Sequence, residues 1–366
     1  MAAMELEMVI ARGQELMEIR LKNNSPSSFS PAKTTLPQSG NAPVRDQTGV
    51  ALIIVIFVMA IVMIIAGSMA RQQNLFVKRS TNQFIQMQAV ELALGAEAFA
   101  RQVLKQDSDD DRKNKKIVDH EKEVWAEYAA ALPLELGTIE VQIDDLQGRF
   151  NLNELVDANG KVVKEQVIYF QALLDRLAIE SINAEKIVDW IDQDDESYQY
   201  KGAEEDAYLI YETPYRTANS WFAHESELRL IDGITVADYQ LLLPHISTLP
   251  TGSGGVNLNT CSKALLMAIS EKVSEADAES VLELRKEDYF ESVDEMFQLD
   301  ALKGVPRPAT GFKVNSEYFE ISIRIQVADQ VSRMVVQVHR DNQGKMTTLN
   351  RDQGQKYIIT KEQVFL

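Results

Sequence analysis

Apolar residues are densest at residues 50–70, where VALIIVIFVMAIVMIIAGSMA contains no charged side chain. At a helical rise of about 1.5 Å per residue this segment would be roughly 30 Å long, which matches the hydrocarbon core of a bilayer. Inside lipid every backbone polar group needs a partner within the segment, so the pattern predicts one membrane-spanning helix. A secretory signal peptide is the alternative, but its apolar core is usually shorter, about 7–15 residues. The flanking basic residues leave the orientation of the span open.

Beyond the span, apolar residues recur at spacings of three and four, which predicts that the helix continues. The stripe consists of Ile85, Ala89, Leu92, Ala96, Phe99 and Val103. It is about as narrow as the seam of a coiled coil. Two interpretations therefore stay open: the stripe packs on the chain's own globular domain, or on neighbouring helices in an assembly. The acidic run at 107–111 is expected to end the helix in a solvated loop.

The rest of the chain has strand-like alternation on both sides of a helical block. Residues 138–144 alternate before the block, and residues 319–327 alternate after Pro306 and Pro308. Between residues 162 and 302 the pattern predicts several short helices separated by turn residues. The fold class predicted is α+β, with one antiparallel sheet interrupted by a large all-helical insertion.

Charge and composition exclude several classes of function. The formal net charge is −18, and it arises after residue 49, because the first 49 residues carry five basic and five acidic side chains. Such a surface repels phosphate backbones and suits divalent cations or basic partners. Cys261 is the only cysteine, so the chain forms no internal disulfide. The four histidines lie in unlike contexts and no Gly-x-Ser-x-Gly, His-Glu-x-x-His or Walker-type motif occurs, so an enzyme is not expected.

The strongest candidate for a binding site is an acidic segment in the helical block. Its carboxylates are Asp189, Asp192, Asp194, Asp195, Glu196, Glu204, Glu205 and Asp206. Ca²⁺ takes six to eight oxygen ligands and would relieve the repulsion among such groups. The spacing of an EF-hand is absent, however, because Ser197 stands where that loop needs glycine. From the residues alone, a solvated acidic loop remains the simpler interpretation.

A second motif suggests a different function. Residues 230–235, LIDGIT, precede an apolar helix and resemble the hairpin of helix-hairpin-helix DNA-binding proteins. Sequence-independent affinity for DNA needs Lys and Arg near the phosphates, which the strongly acidic chain does not supply. A hairpin that serves packing is the preferred interpretation, and a membrane-anchored DNA-binding protein is the alternative function.

Several stretches together resemble one known family. Residues 49–52, GVAL, resemble the cleavage site of type IV prepilin-like proteins. The stretches GRFNLN at 148–153, DWIDQD at 189–194, GAEE at 202–205, YRTAN at 215–219 and SELR at 226–229 are similar to the type II secretion system protein K family. The resemblance covers about residues 47–340, and it departs at the leader, which is long and has only Arg45 near the cleavage site.

The resemblance implies a minor pseudopilin fold, in which a transmembrane and stem helix packs on a small antiparallel sheet with a SAM-like or helix-hairpin-helix-like insertion. It implies cleavage between Gly49 and Val50 by a prepilin peptidase, followed by methylation of the new amine. The expected parts are a cleaved leader 1–49, a transmembrane segment 50–70, a periplasmic stem helix 71–106, a pseudopilin α/β part 107–161, a helical insertion 162–305 and C-terminal strands 306–366.

The resemblance also implies a place in the assembly. Most pilin-type subunits have Glu at the fifth mature position, where it meets the terminal amine of the subunit above, whereas counting from Val50 this chain has Ile54. Such a subunit offers no partner to an amine above it, which implies a position at the tip of the pseudopilus, where it initiates assembly with minor pseudopilins I and J and helps to export folded proteins. An inner-membrane anchor with a periplasmic domain is implied, with no nucleic acid as partner. Family members carry calcium in the insertion, which implies these ligands: Asp192, Asp194, Glu204 and Asp206, with Asn219 and Glu227 second.

Overall fold

The computed structural model describes residues 48–127, 129–134, 137–306, 311–354, 359–361 and 363–365. The chain divides into two units, Met1–Gln72 and Gln73–Leu366. Residues 1–47 of the predicted leader and, within the predicted C-terminal strands 306–366, residues 307–310, 355–358, 362 and 366 lie outside the described residues.

The helices are bounded as follows: α1 Thr48–Asn114, α2 Val124–Glu127, α3 Lys164–Arg176, α4 Ala184–Ile191, α5 Glu205–Leu209, α6 Val236–Leu242, α7 Lys263–Ala268, α8 Glu275–Glu287 and α9 Val293–Phe297. The strands are β1 Ala129–Leu134, β2 Gly137–Asp145, β3 Phe150–Asn151, β4 Ile246–Ser247, β5 Val256–Asn257, β6 Phe312–Lys313, β7 Tyr318–Val327, β8 Gln330–Arg340, β9 Met346–Asp352 and β10 Gln363–Phe365.

The first unit contains the helical residues 48–72, and its apolar side chains from Val50 onward are exposed. The most apolar 18-residue window of α1 has a mean hydropathy of 3.3, and none of it is buried within the protein. A helix of this length and composition can cross a bilayer. The structure therefore agrees with the predicted single span at the level of a candidate membrane helix.

In the second unit, α1 packs on the sheet through small side chains. Its buried face consists of Ala89, Ala93, Ala96, Ala100 and Leu104, with Leu92 and Val103 partly buried beside it. The buried face is rotated by part of a helical turn relative to the predicted stripe. Phe99, which belongs to that stripe, lies outside the buried face and is 37% exposed. The small alanine side chains let the helix approach the sheet closely. A buried face of this kind is not detected by a search for large apolar residues.

The main sheet has six strands in the order β10-β1-β2-β7-β8-β9. Its central pairs, β2 with β7 and β7 with β8, are antiparallel, while β1 and β10 are parallel. The predicted alternation in β7 is confirmed, since Phe319, Ile321, Ile323 and Ile325 are all buried in one cluster with the face of α1. Short β9 carries few apolar residues, which is why the sequence did not predict it.

The insertion consists of two similar units, each of which begins and closes with a pair of short parallel strands. In the first unit of the insertion β3 pairs with β4, and in the second unit of the insertion β5 pairs with β6. Each opening strand runs into an Asn-Leu-Asn sequence, at 151–153 and at 257–259. The predicted short helices lie between the strands, and strands of two residues are too short to be predicted from periodicity. The strand pairs extend the insertion beyond the predicted 162–305 to residues 150–313.

An asparagine occupies the same structural position in each unit. Asn153 donates to the carbonyl of Phe222 at 3.0 Å and accepts from its amide at 2.8 Å. Asn259 forms the same two bonds with Phe290, both at 2.9 Å. Both asparagines are buried. Each side-chain amide bonds the N–H and the C=O of one residue in a distant loop, as a neighbouring strand would, and so satisfies those buried backbone groups. These two clamps hold the loop before the 3₁₀ helix Glu225–Leu230 in the first unit of the insertion and the loop before α9 in the second.

Helix α1 continues past the predicted end at residue 106 to Asn114, so the acidic run is helical and not a loop. Its charges have partners at helical spacing, Arg112 with Asp109 and Lys113 with Asp110. Asp107 accepts from Arg340 of β8 at 3.0 Å. Paired carboxylates and basic residues in the last turn favour helix where unpaired acidic residues would not.

Candidate functional site

Three of the predicted acidic ligands converge between α4 and α5. Asp192 follows the end of α4, Asp194 lies in the loop, and Glu204 precedes α5. One carboxylate oxygen from each lies within 4.8 Å of the others. Asp192 and Glu204 are 3% and 7% exposed, whereas Asp194 is exposed to solvent. This set of oxygens, partly enclosed and open on one side, suits a hard cation such as Ca²⁺.

The buried oxygens of this site lack hydrogen-bond donors. Oδ1 of Asp192 and both Oε atoms of Glu204 are buried without a partner among the described residues. Buried polar groups in folded proteins are normally hydrogen-bonded, and an exception calls for an explanation such as a bound ion. The residues present therefore fit a cation at this position.

The electrostatics of the site point the same way. Burial, followed by the neighbouring Asp194 and Asp189 carboxylates, raises the pKa of Asp192 to about 7. Burial, followed by Asp189 and Asp192, raises the pKa of Glu204 to about 7. The ionised forms are thus destabilised in the absence of a compensating positive charge.

Asp189 holds the acidic loop against α4. It is fully buried, and its Oδ1 accepts from the backbone amide of Tyr198 at 2.7 Å. Gly202 passes so close that an added Cβ would lie 2.0 Å from Asp189 Oδ2. The Gly-Ala-Glu sequence at 202–204 thus owes its glycine to close packing. Asp189 was part of the acidic segment in the sequence but was not among the predicted ligands, and its role depends on a loop contact that the sequence does not reveal.

The remaining predicted ligands are placed differently. The side-chain oxygen of Asn219 is buried without a partner among the described residues, and its backbone has a positive φ of 42°. Asp206 is exposed in the first turn of α5 and is outside the group of converging carboxylates. Glu227 accepts from the amides of Ala223 and His224 at 2.8 and 3.0 Å. Glu227 is therefore committed to capping the 3₁₀ helix Glu225–Leu230.

The predicted hairpin at 230–235 serves packing. Gly233 has a φ of 91°, and a Cβ there would lie 2.7 Å from the Ser181 carbonyl. Lys186 donates to the Asp232 carbonyl at 3.0 Å and to its carboxylate at 2.6 Å. The turn is thus packed against the start of α4 within the same unit of the insertion, and it carries an acidic side chain, which would repel a phosphate. DNA binding is not supported.

The predicted processing site lies near the start of α1. Gly49 is within the helix, and the side chains of Val50 and Ile54 are 59% and 56% exposed. Ile54 presents an exposed aliphatic surface.

Comparison with known proteins identifies close relatives. A family model described as type II secretion system, protein K, matches residues 148–251, and a second with the same description matches residues 256–315. These two ranges coincide with the two units of the insertion. The chain is 34% identical over 317 residues to the type II secretion system protein K of Pseudomonas aeruginosa, covering 85% of this chain and 94% of that one. It is 32% identical to that of Aeromonas hydrophila, covering 85% and 98%.

A solved structure is also similar. It is the crystal structure of the GspK-GspI-GspJ complex from the type 2 secretion system of enterotoxigenic Escherichia coli. The TM-score is 0.66 at 28% sequence identity, and the match covers 76% of this chain and 100% of that chain. The likeness thus extends through the entire solved chain.

Proposed function

We propose, because this chain belongs to the type II secretion system protein K family, that it is the minor pseudopilin at the tip of the pseudopilus. The observation that carries the proposal is its similarity to a chain solved in complex with GspI and GspJ. The corresponding two minor pseudopilins are its proposed partners. In this role the chain initiates assembly and helps folded proteins to leave through the outer membrane.

The position at the tip rests on Ile54. A carboxylate buried among packed helices is stable only when it is paired with a cation. A subunit that has Ile at this position cannot pair with the terminal amine of a subunit placed above it. Its own amine can still meet the carboxylate of the subunit below. The chain can therefore end a filament but does not continue one upward.

Replacing Ile54 by Glu should let subunits stack above the chain. We expect I54E to appear along pseudopili, where the wild-type chain labels only their ends, as seen by immunogold electron microscopy. I54Q is the matched control, because glutamine adds polarity without a charge and should keep the label at the ends. Labelling of I54E at the ends alone would show that position five does not determine placement.

The membrane helix and the family together support a single-pass inner-membrane protein, and we propose that the domain after it is periplasmic. We further propose that a prepilin peptidase removes residues 1–49 and that Val50 is then methylated. Cleavage at this point would leave the apolar segment at the new N-terminus, as an assembly of parallel stem helices requires.

Co-expression with a prepilin peptidase should yield a chain that begins with methylated Val50, as measured by mass spectrometry of the intact protein. Protease added after permeabilisation of the outer membrane should then digest the globular part while sparing cytoplasmic proteins. An uncut Gly49–Val50 bond would leave an ordinary membrane anchor and remove the argument built on Ile54. Protection of the globular part would contradict the periplasmic location.

A calcium ion is proposed between α4 and α5. Asp192, Asp194 and Glu204 would hold it, with Asn219 as the candidate neutral ligand. A bound cation would neutralise the repulsion among the carboxylates and fix the loop from 192 to 204, so its contribution is to the stability of the first insertion unit. Asp206 and Glu227 are less suitable, since one is outside the converging group and the other caps a helix.

A further inference from the structure

A second group of carboxylates lies where α1 ends and the chain turns toward the sheet. We call it the junction cluster, and it consists of Asp107 and Asp111 of α1 together with Asp119 and Glu123 of the following segment. Oxygens of Asp107, Asp111 and Glu123 lie within 4.8 Å of one another. The proposed pseudopilin function does not use this cluster.

Positive charge within the junction cluster comes from Arg340 of β8. It donates to Asp107 at 3.0 Å and also bonds Asp119 and the Ser316 carbonyl. Asp119 is fully buried and also accepts from the Ser316 amide at 2.7 Å. One guanidinium is therefore committed to two of the four carboxylates. Asp111 and Glu123 remain without a salt bridge to it.

Asp111 lacks a donor for one oxygen. Its carboxylate accepts the backbone amide of Val118. Oδ2, however, is buried and has no hydrogen-bond partner within the part of the chain that the structure describes. A buried acceptor without a donor costs about 1–3 kcal/mol in general, so a nearby donor would be favoured.

Glu123 can supply that donor only as a neutral acid. Its side chain is 10% exposed, and its Oε2 accepts from the indole N–H of Trp125. The other oxygen lies 3.6 Å from Nε2 of His120, whose pKa is lowered to about 4 by burial and by Lys122, so the imidazole is neutral. Burial, followed by the Asp107 and Asp119 carboxylates, raises the pKa of Glu123 to about 10.

We propose that Glu123 is a protonated carboxylic acid in the folded chain and donates its hydrogen bond to Asp111 Oδ2, latching the segment before the sheet onto the end of α1. The latch is a proton-dependent connection between the stem helix and the sheet. Ionisation of Glu123 replaces this bond by repulsion between two buried carboxylates.

Several charged or titratable groups surround the latch. They are Asp107 and Asp111 on α1, Asp119, His120 and Lys122 in the segment after it, Asp145 at the end of β2, Asp288 and Tyr289 after α8, Arg340 on β8 and Lys361 over Trp125. Burial raises the pKa of Asp107 to about 7 and that of Asp119 to about 6 even though Arg340 binds both carboxylates. Glu123 has no such cation bonded to it and has the highest pKa of the group, so it holds the proton most firmly.

The direction of the pH dependence follows from proton linkage. Because the pKa of Glu123 is higher in the folded chain than in the unfolded chain, the folded chain holds the additional proton between about pH 4.5 and pH 10. Stability contributed by this group therefore falls as the pH rises through that window. Below about pH 4.5 Glu123 is neutral in both the folded and the unfolded chain, so it no longer makes stability change with pH.

The experiment compares wild type with Glu123→Gln as full-length chains in detergent and chelator, by melting temperature from about pH 6 to about pH 9. Glutamine retains the acceptor for Trp125 and gives Asp111 a donor that does not ionise. We expect the wild-type melting temperature to fall by at least about 4 °C across this range relative to E123Q. Glu91→Gln, at an exposed position on α1, is the matched control and should follow wild type.

A second variant and a spectrum guard against misfolding. Asp111→Asn supplies the donor from the other side, so it should also reduce the pH dependence. At neutral pH the infrared difference spectrum, wild type minus E123Q, should show a protonated-carboxyl band, because the other carboxyls with a raised pKa are present in both proteins. Parallel pH profiles of wild type and both variants, or an infrared spectrum unchanged in E123Q, would overturn the latch. Stabilisation of wild type by Ca²⁺ at alkaline pH that D111N abolishes would mean that a cation occupies the cluster and would likewise overturn it.

Discussion

Calcium should raise the melting temperature of the wild-type chain, and Asp192→Asn should remove most of that increase. A ligand that binds only the folded state stabilises it by about 2.7 kcal/mol at a concentration 100 times its dissociation constant. Asp192 and Glu204 contribute the buried, unpartnered oxygens of the proposed site. Loss of either carboxylate removes both a ligand and a charge, whereas in chelator the same substitution relieves repulsion.

The measurement is thermal unfolding of wild type, D192N and E204Q in calcium and in chelator, with calcium affinity from titration calorimetry. D192N and E204Q should melt at or above the wild-type temperature in chelator and gain little from calcium. Equal midpoints for wild type in calcium and in chelator would eliminate the site.

Asp206→Asn separates the prediction made from the sequence from the one made from the structure. The family resemblance implied Asp206 as a ligand, but it is exposed and outside the converging group. We expect D206N to keep the wild-type response to calcium. A loss as large as that of D192N would place Asp206 among the ligands.

The features predictable from sequence are those with a local signal. The apolar run from Val50, the alternation in β7 and the acidic segment near Asp192 each depend on a spacing or a composition that a single chain displays. The choice of Asp192, Asp194, Glu204 and Asp206 as ligands came from the family resemblance, and the structure brings the first three of these together.

The features that escaped prediction depend on contacts between distant residues. The acidic run is helical, and one of its carboxylates, Asp107, is bound by Arg340, which lies far along the chain. Glu227 is a carboxylate that could bind a cation, but it accepts hydrogen bonds from backbone amides at the start of its own 3₁₀ helix. In the sequence Asp189 is indistinguishable from the neighbouring carboxylates. Only the fold shows that it accepts a hydrogen bond from the backbone amide of Tyr198.

The repeated asparagine clamp was also invisible in advance, although its signature is simple. The sequences FNLN and VNLN recur at 150–153 and 256–259, and each ends in the clamping residue. Separate loops, at Phe222 and Phe290, receive the same pair of bonds. An internal repeat of four residues becomes recognisable only once the residues that the two asparagines bind, Phe222 and Phe290, are known.

Asn153→Ala should destabilise the chain by roughly 3 kcal/mol, because several buried backbone groups would lose their partners. Asn153 binds the amide and carbonyl of Phe222 and the carbonyl of Leu249, all within 3.0 Å. Alanine satisfies none of them. Chemical unfolding of the full-length chain in detergent, with calcium and with chelator, measures the loss.

Asn259→Ala is the matched control, because Asn259 forms the same pair of bonds in the second unit of the insertion. Both variants should lose stability, but only N153A should also weaken the response to calcium, since Phe222 lies just after Asn219 and in the same unit as Asp192. Retention of full calcium affinity by N153A would show that the clamp does not position Asn219. An equal loss of calcium response in both variants would mean that the two units unfold together, so that the site reports on the stability of the whole insertion.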